Sequence, residues 1–359
     1  MSELIHDFTK EELVARISPS FRARQIYDWL YKKLALSFEE MKNLPKQMRQ
    51  QLEAEYRCEP MRIVNIQTSS DGTKKYLFSL HDGHTVEAVL LLMREAQVSK
   101  EGDIQREAQY TVCLSTQVGC KVGCAFCLTA KGGFVRNLTP GEIVGQVVLI
   151  KKDNQIGAHR RLNLVYMGMG EPLDNLDNVA KAIRIFSDPD GLAISPRRQT
   201  ISTSGIATKI AKLGEMDLGV QLAISLHAVD DELRSRLIPM NKAYNIEAII
   251  KTLKAFPLQQ RRRILFEYLV LGGVNDDLVA AKKLVKLLHG LRAKVNLIYY
   301  NPHPGSDFKR PTEEAMRKFQ EYLFAKGITC TIRSSRGLDI SAACGQLREQ
   351  MQTGGSSVY

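Results

Sequence analysis

The stretch Cys113–Cys127, CLSTQVGCKVGCAFC, decides how the rest of the chain is read. Cys120, Cys124 and Cys127 form a C-x3-C-x2-C clamp, with neither a nearby histidine nor a second C-x2-C pair to complete a tetrahedron. A structural zinc site closes four protein ligands around the ion, whereas a cubane iron–sulfur cluster on three thiolates leaves one iron open to an exogenous group. The spacing therefore points to a 4Fe-4S cluster with one open corner. A zinc knuckle with a distant fourth ligand is the alternative that spacing alone leaves standing.

Working outward, composition sets the class. The chain has 359 residues, with 50 Lys+Arg against 39 Asp+Glu, a formal charge of +11. That length suits one large domain with an appendage, or two domains. The positive balance suits a polyanionic partner, nucleic acid first among them, although solvated surface charge explains it equally simply. No run of 18 apolar residues occurs, and MSELIHDFTKEELVARI lacks a basic start with an apolar core, so neither a membrane span nor a signal peptide is expected and the location is expected to be cytoplasmic. Seven cysteines, four of them in one short stretch, fit a reducing compartment and metal or redox chemistry better than a disulfide framework. The tail TGGSSVY is expected to be disordered.

Residues 1–60 read as a helical domain. Ser20 is the expected cap of a helix bearing Phe21, Ile26, Trp29, Leu30 and Leu34, and Pro45 is expected in the first turn of another. Interleaved basic residues such as Arg22, Arg24, Lys32 and Lys33 make this domain a candidate RNA-gripping face. Residues 61–108 change to a period of two: RIVNIQTS, KKYLFSL and HTVEAVLLL form a β-meander with turns at Asp71-Gly72 and Asp82-Gly83, and 93–108 form a loop or long hairpin tip. Residues 109–347 then repeat strand and helix, the first helix opening on a Thr139/Pro140/Glu142 capping box. Six βα units precede a last strand, CTIRSS, which predicts an α/β fold with a partial (βα)6 barrel; residues 348–359 are tail. A Rossmann sheet is the competing architecture, but the first strand–helix turn carries the cysteine loop in place of G-x-G-x-x-G.

In either architecture the site lies at the carboxyl ends of the strands. There stand the cysteine loop, Gly168-Met169-Gly170-Glu171-Pro172, Ser202-Thr203-Ser204-Gly205, Ser225-Leu226-His227 and Asn301-Pro302-His303-Pro304-Gly305. Gly, Ser and Asn belong in turns for backbone reasons. Their convergence on one rim, with an acid able to accept from an ammonium and an imidazole beside it, reads as a ligand site.

Taken together, CLSTQVGCKVGCAFC, GGFVRNLTPGEIVGQV, MGMGEPL, ISTSG, ISLHA, NPHPGS and DISAACGQL resemble the bacterial dual-specificity RNA methyltransferases of the radical S-adenosylmethionine (SAM) class, over nearly the whole chain to Leu347. The resemblance implies a radical SAM barrel and an enzyme that methylates carbon 2 of an adenine in 23S rRNA and of adenine 37 in tRNA. The related carbon 8 methyltransferases that confer antibiotic resistance are the alternative; GEPL and NPHPGSDFKRP look more like the carbon 2 family. On matching positions it implies Cys120, Cys124 and Cys127 as ligands of a 4Fe-4S cluster and Gly170, Glu171, Ser202, Ser225, Leu226, His227 and Asn301 as SAM contacts. It further implies Cys344 as the cysteine that is S-methylated, Cys113 as the cysteine that resolves the RNA adduct, leaving a Cys113–Cys344 disulfide, and Glu87 as proton acceptor. Strand alternation alone would make Glu87 solvent-facing. The implied partners are 23S rRNA, tRNA and a reductant such as flavodoxin or ferredoxin, with the enzyme a monomer and no membrane involved.

The chemistry accounts for two extra cysteines. Carbon 2 of adenine is electrophilic and has no lone pair, so a methyl cation cannot be passed to it directly and a radical route is needed. The plain alternative for Cys344 is a buried small hydrophobe, and Cys58 and Cys330 are read as structural. A zinc-bearing RNA-binding protein and an iron–sulfur electron carrier are the other classes compatible with the residues. Arg197, Arg198, Arg261, Arg262, Arg263, Lys309 and Arg310 are candidate phosphate contacts.

Overall fold

A computed structural model describes residues 2–99, 104–157, 160, 162–302 and 306–347. The tip of the 93–108 segment, His303-Pro304-Gly305 and the tail expected at 348–359 lie outside the described residues.

Three helices open the chain: α1 (Lys10–Arg16), α2 (Ser20–Tyr31) and α3 (Lys46–Glu55). Thr9 and Glu12 cap α1 reciprocally. Ser20 does not cap α2; it is already the first helical residue, and Pro19, extended at φ −70°, occupies the cap and accepts from the Arg22 amide. Pro45 likewise stands one residue before α3. Ala23, Ile26, Tyr27, Leu30 and Tyr31 form the buried stripe of α2, while Phe21, expected on that stripe, is exposed because it falls one position off the 3.6-residue period.

The main sheet has ten strands in sequence order: β1 (Arg62–Thr68), β2 (Lys74–Ser79), β3 (Thr85–Arg94), β4 (Gln109–Cys113), β5 (Leu162–Tyr166), β6 (Gln199–Thr203), β7 (Gln221–Ser225), β8 (Ile264–Val270), β9 (Ala293–Tyr299) and β10 (Thr329–Arg333). β1 to β3 form the expected meander, antiparallel throughout, and β3 pairs antiparallel with β4, so the meander is the edge of the barrel sheet itself. From β4 to β10 every pairing is parallel. Helices cover the connections: α4 (Pro140–Asp153), α5 (Leu176–Ser187), α6 (Ala207–Glu215), α7 (Asp231–Leu237) with α8 (Ile246–Ala255), α9 (Leu278–Leu287) and α10 (Glu313–Ala325). The six βα units read from the sequence are therefore present. Between β3 and β4, Gln97–Val98 pairs with Ile104–Arg106 as a hairpin.

Alternate residues of strands at both ends of this order, such as Val89 and Leu91 on β3, Cys113 on β4, Asn296 on β9 and Arg333 on β10, line one cavity of about 680 Å³. The sheet is thus curled around a bore. α4 is buried along almost its whole length because it lies between two layers: its outer side meets the N-terminal segment, where the Gly141 amide donates to Asp7 Oδ1 at 2.7 Å. A side chain at Gly145 would meet Pro60 at 2.4 Å, so glycine sets how closely the chain leading into the meander approaches α4. One continuous apolar core runs from Ile5 and Tyr31 through Met61 and Val147 to Phe266. Among the described residues, no helix is long and apolar enough to cross a membrane.

Candidate active site and its relatives

The cysteine loop leaves β4 through a short strand, Gln117–Gly119, paired antiparallel with Phe134–Asn137. Gly119 has φ +73°, and a Cβ there would stand 1.9 Å from the Gly133 carbonyl oxygen, which leaves no room for any other residue. The Cys120 amide donates to that carbonyl at 2.7 Å, the Ala125 amide to Leu237 and the Cys127 amide to the Cys124 carbonyl. The loop sits on a small apolar cluster that includes Val122, Ile238, Leu271 and Tyr300.

The three thiols are close enough to act on one another electrostatically. Burial and its neighbours push Cys120 up to about 12 and Cys124 well above the ordinary thiol range. Thiolates at Cys120 and Cys124 therefore form only with compensating positive charge such as a metal supplies. Three thiols offered by one loop are the donor set of a cubane whose fourth iron stays open.

Around the loop, strand ends supply the predicted rim. Gly170 has φ +104°, and a Cβ there would meet Gln117 at 2.6 Å. Glu171 is buried, and its carboxylate accepts from the Leu173 amide at 3.0 Å and the Ser204 amide at 2.7 Å. The acid read from the sequence as an acceptor for an ammonium thus first joins the ends of β5 and β6; each oxygen keeps a second lone pair for anything further. Ser202 Oγ and Ser225 Oγ lie 3.3 Å apart. Leu226 is buried, its amide on the Glu267 carbonyl. His227, at φ +58°, accepts the Leu269 amide on Nδ1 at 3.0 Å, which places its proton on Nε2, and its ring meets Phe126 edge to face at 5.0 Å. Burial, with Arg234 nearby, lowers His227 to about 3, so it is neutral at pH 7. Asn301 Oδ1 accepts from Arg310 at 3.0 Å and Ser335 at 2.7 Å.

Cys113 ends β4, is buried, and lines the bore. Cys344 is exposed and lines the same bore from the segment after β10. That segment is tied to the cluster loop, the Leu128 amide donating to the Gly345 carbonyl at 2.8 Å and Thr129 Oγ1 to Leu347 at 2.6 Å. It is tied to the meander by Asp339, which accepts from Ser69 and the Ser70 amide, and by Asp71, which accepts from the Gly337 amide. Burial and the neighbouring Cys344 push Cys113 up to about 12, against the pull of Arg333. The seven cysteines are unpaired in the structure, which gives no support to the disulfide that the resemblance implies between Cys113 and Cys344.

Glu87 is buried, contrary to the alternation argument, because β3 is covered on both faces. It shares the strand face of bore-lining Val89 and Leu91 and pairs with Lys75 at 3.4 Å. Lys75 also donates to the Ser341 carbonyl, three residues before Cys344. Sequence reasoning missed Lys75, which looks like an ordinary strand lysine, and it missed Arg234. Fully buried, Arg234 donates to the carbonyls of Ser204, Ser225 and Leu226 and to Asn241 Oδ1, pinning the ends of β6 and β7 together. Nothing in DDELRSRL distinguishes it from the solvated charges beside it. It also missed Glu267 and Arg333, both facing the bore. Of the basic candidates, Arg310 is at the rim with its guanidinium 4.3 Å from the Tyr299 ring centre, whereas Arg262 and Arg263 hold Val220 and Thr329 at the opposite, amino ends of the strands.

Comparison with known proteins gives this geometry a lineage. The profile of the radical SAM superfamily matches residues 114–285, and that of the ribosomal RNA large subunit methyltransferase N-terminal domain matches 7–57. A Sulfurovum protein named dual-specificity RNA methyltransferase RlmN is 66% identical over 348 residues, covering 97% of both chains. A Nitratiruptor protein of the same name is 65% identical, covering 96% of this chain and 98% of its own. The chain belongs to the dual-specificity RNA methyltransferase family. The crystal structure of a radical SAM methyltransferase from Sphaerobacter thermophilus superimposes with a TM-score of 0.88 at 41% identity, covering 96% of this chain and 99% of that one. Dual-specificity RNA methyltransferases are radical SAM enzymes, with a 4Fe-4S cluster and SAM as cofactors, and the curled α/β sheet described above is that fold.

Proposed function

We propose that the enzyme methylates carbon 2 of adenine in 23S rRNA and at position 37 of tRNA, with the methyl group carried on Cys344. The observation that carries this reading is the placement of Cys113 and Cys344, far apart in sequence, on one bore beside the cysteine loop. When bound on Cys120, Cys124 and Cys127, the cluster supplies the electron that generates a radical from SAM. Gly170, Glu171, Ser202, Ser225, Leu226, His227 and Asn301 would hold SAM, offering it glycine backbone, a carboxyl group, hydroxyls, a neutral imidazole and an amide.

The protein's own residues divide the remaining work. Cys344, exposed and on a tethered segment, receives the methyl group and presents it to the base. Glu87 accepts the proton lost from carbon 2, and its ion pair with Lys75 fixes it on the bore side of β3. Cys113 attacks the Cys344 sulfur to free the methylated base, leaving a disulfide that a thiol reductant returns to the two free cysteines. Its burial favours the thiol form of Cys113 in the unloaded site. Residues 1–60 act as the RNA-gripping domain and 61–108 as the edge that carries Glu87, on a core at 109–347. A flavodoxin or ferredoxin supplies electrons, and the enzyme acts as a monomer in the cytoplasm.

The test is Cys113→Ala. The variant is expected to fold, load iron, methylate Cys344 and attack RNA, then stall as a protein–RNA conjugate that survives denaturation. Attachment through carbon 2 in that conjugate supports the reading, and attachment through carbon 8 replaces it with the other chemistry. Normal turnover without conjugate removes Cys113 from the role given to it.

A further inference from the structure

Among the charged side chains that line the bore, Arg333 and Glu267 stand out because one is a donor set and the other an acceptor left open toward the same space. Arg333 ends β10 and Glu267 lies mid-strand on β8. A guanidinium carries five N–H donors and always needs acceptors. Among the described residues, Arg333 finds one acceptor, the weak thioether of Met167 at 3.7 Å, and no carboxylate within ion-pair distance. Glu267 is buried; Asn296 donates to its Oε1 at 3.2 Å, and its Oε2 has no hydrogen-bond partner among the described residues. An unsatisfied donor set and an unsatisfied acceptor thus face the same cavity.

Their order along the wall matters. Arg333 acts electrostatically on Cys344, Glu267 and Cys113. The charged neighbours of Glu267 are Arg333 and Lys294. In the strand register Glu267 stands level with Asn296 and Thr331, two residues below Arg333 at the end of β10, so going away from Cys344 on the following segment the wall presents first an obligate donor and then an acceptor. Adenine with carbon 2 at the thiols presents the complement in the same order: N1, which accepts, then the N6 amino group, which donates. Guanine presents N1–H to the cation and O6 to the carboxyl group, and blocks carbon 2 with its own amino group.

We infer that Arg333 and Glu267 read the Watson–Crick edge of the target adenine, the guanidinium donating to N1 and the Glu267 carboxyl oxygen accepting from the N6 amino group. This rests on the carbon 2 reading proposed above. An extruded base is held by edge contacts of this kind. The donor on N1 also draws electron density from the adjacent carbon 2, the atom that must accept a carbon radical.

The experiment is a cycle between protein and base, run on the full-length, cluster-loaded enzyme with RNA hairpins carrying adenine, 1-deazaadenine, 3-deazaadenine or purine at the target. Arg333→Met should still methylate Cys344, a step that needs no RNA, while methylation of adenine RNA falls about 10- to 100-fold, the size of one good edge contact. Wild-type enzyme should fall on 1-deazaadenine RNA, and Arg333→Met should fall no further there. On 3-deazaadenine RNA the variant should show its full loss again. Any intrinsic effect of the nitrogen on carbon 2 acts on both proteins and cancels in the ratio. Glu267→Ala should show the same non-additivity with purine, which lacks the N6 amino group. If Arg333→Met does not fold, Arg333→Gln repeats the cycle without the charge and with a smaller factor. Full additivity of Arg333 and N1 overturns the inference, as does non-additivity with N3 in its place. Failure of the underlying reading looks different: wild-type enzyme would then leave Cys344 unmethylated or adenine RNA unmodified at carbon 2.

Discussion

At the scale of single residues, the rim is fixed by groups whose importance shows only in what they hold. Arg234 is the strongest case, since five backbone or side-chain acceptors from three segments end on one buried guanidinium. Arg234→Met keeps much of the volume but leaves buried carbonyls of Ser204, Ser225 and Leu226 without their donor. Breaking such a set costs about 2–4 kcal/mol. The variant is therefore expected to lose that much unfolding free energy, seen as a lower urea midpoint, and to bind SAM weakly, which equilibrium unfolding and SAM titration measure. Retention of both would mean that the strand ends hold their places without it. Glu171 teaches the converse lesson: a residue chosen from sequence for a ligand is already committed to two backbone amides, so its contribution begins as architecture.

At the scale of elements, the segment from Ser334 to Leu347 decides whether Cys344 can work. It has one turn of 3-10 helix, Leu338–Ile340, and is kept in place by contacts to the β1–β2 turn and to the cluster loop. Asp71 is a firm anchor: against burial, its hydrogen bonds with Thr73 and Gly337 hold it at about 2. Replacing both Asp71 and Asp339 by alanine frees one side of the segment without opening the core. Global stability should change by about 1 kcal/mol or less per lost surface contact. Methylation of Cys344, followed by peptide mass, should slow at least tenfold while iron content stays normal. An unchanged methylation rate would show that the contacts through Leu128 and Thr129 suffice.

At the scale of the whole molecule, burial of titratable groups sets how the fold responds to acid. His6 packs against Tyr31 with neither ring nitrogen bonded among the described residues, and burial lowers it to about 3; His227 is lowered to the same value. Both are near 6.5 when unfolded, so between pH 6.5 and 3 the unfolded chain binds more protons and stability falls as pH falls. Each histidine adds a slope approaching about 1.4 kcal/mol per pH unit in that window and none above it. Glu171 and Glu267, raised by burial, act with the opposite sign above the ordinary carboxyl range. Comparing His6→Leu with the parent isolates one histidine: the variant should lose less stability between pH 6.5 and 5 and match the parent's slope at pH 7 to 8. Equal slopes in the acid window would mean that His6 titrates normally in the fold.

Local patterns in the chain determined a good deal. The cysteine clamp, the Thr139 capping box, the turns at Asp71-Gly72 and Asp82-Gly83 and the alternation of apolar strands with amphipathic helices are all short-range signals, and each appears where its spacing put it. Cap and helix-face positions one residue off, as at Ser20 and Phe21, mark the limit of that kind of reading. Which face of a strand is buried, and what each buried polar group touches, depends on covering layers that no local pattern encodes. Glu87 is the clear instance, solvent-facing by alternation yet enclosed because β3 is buried on both of its faces from Thr85 to Leu91. Only the closing curl of the sheet brought Cys113, Arg333, Glu267 and Cys344 onto one cavity, because the contacts that join them span most of the chain.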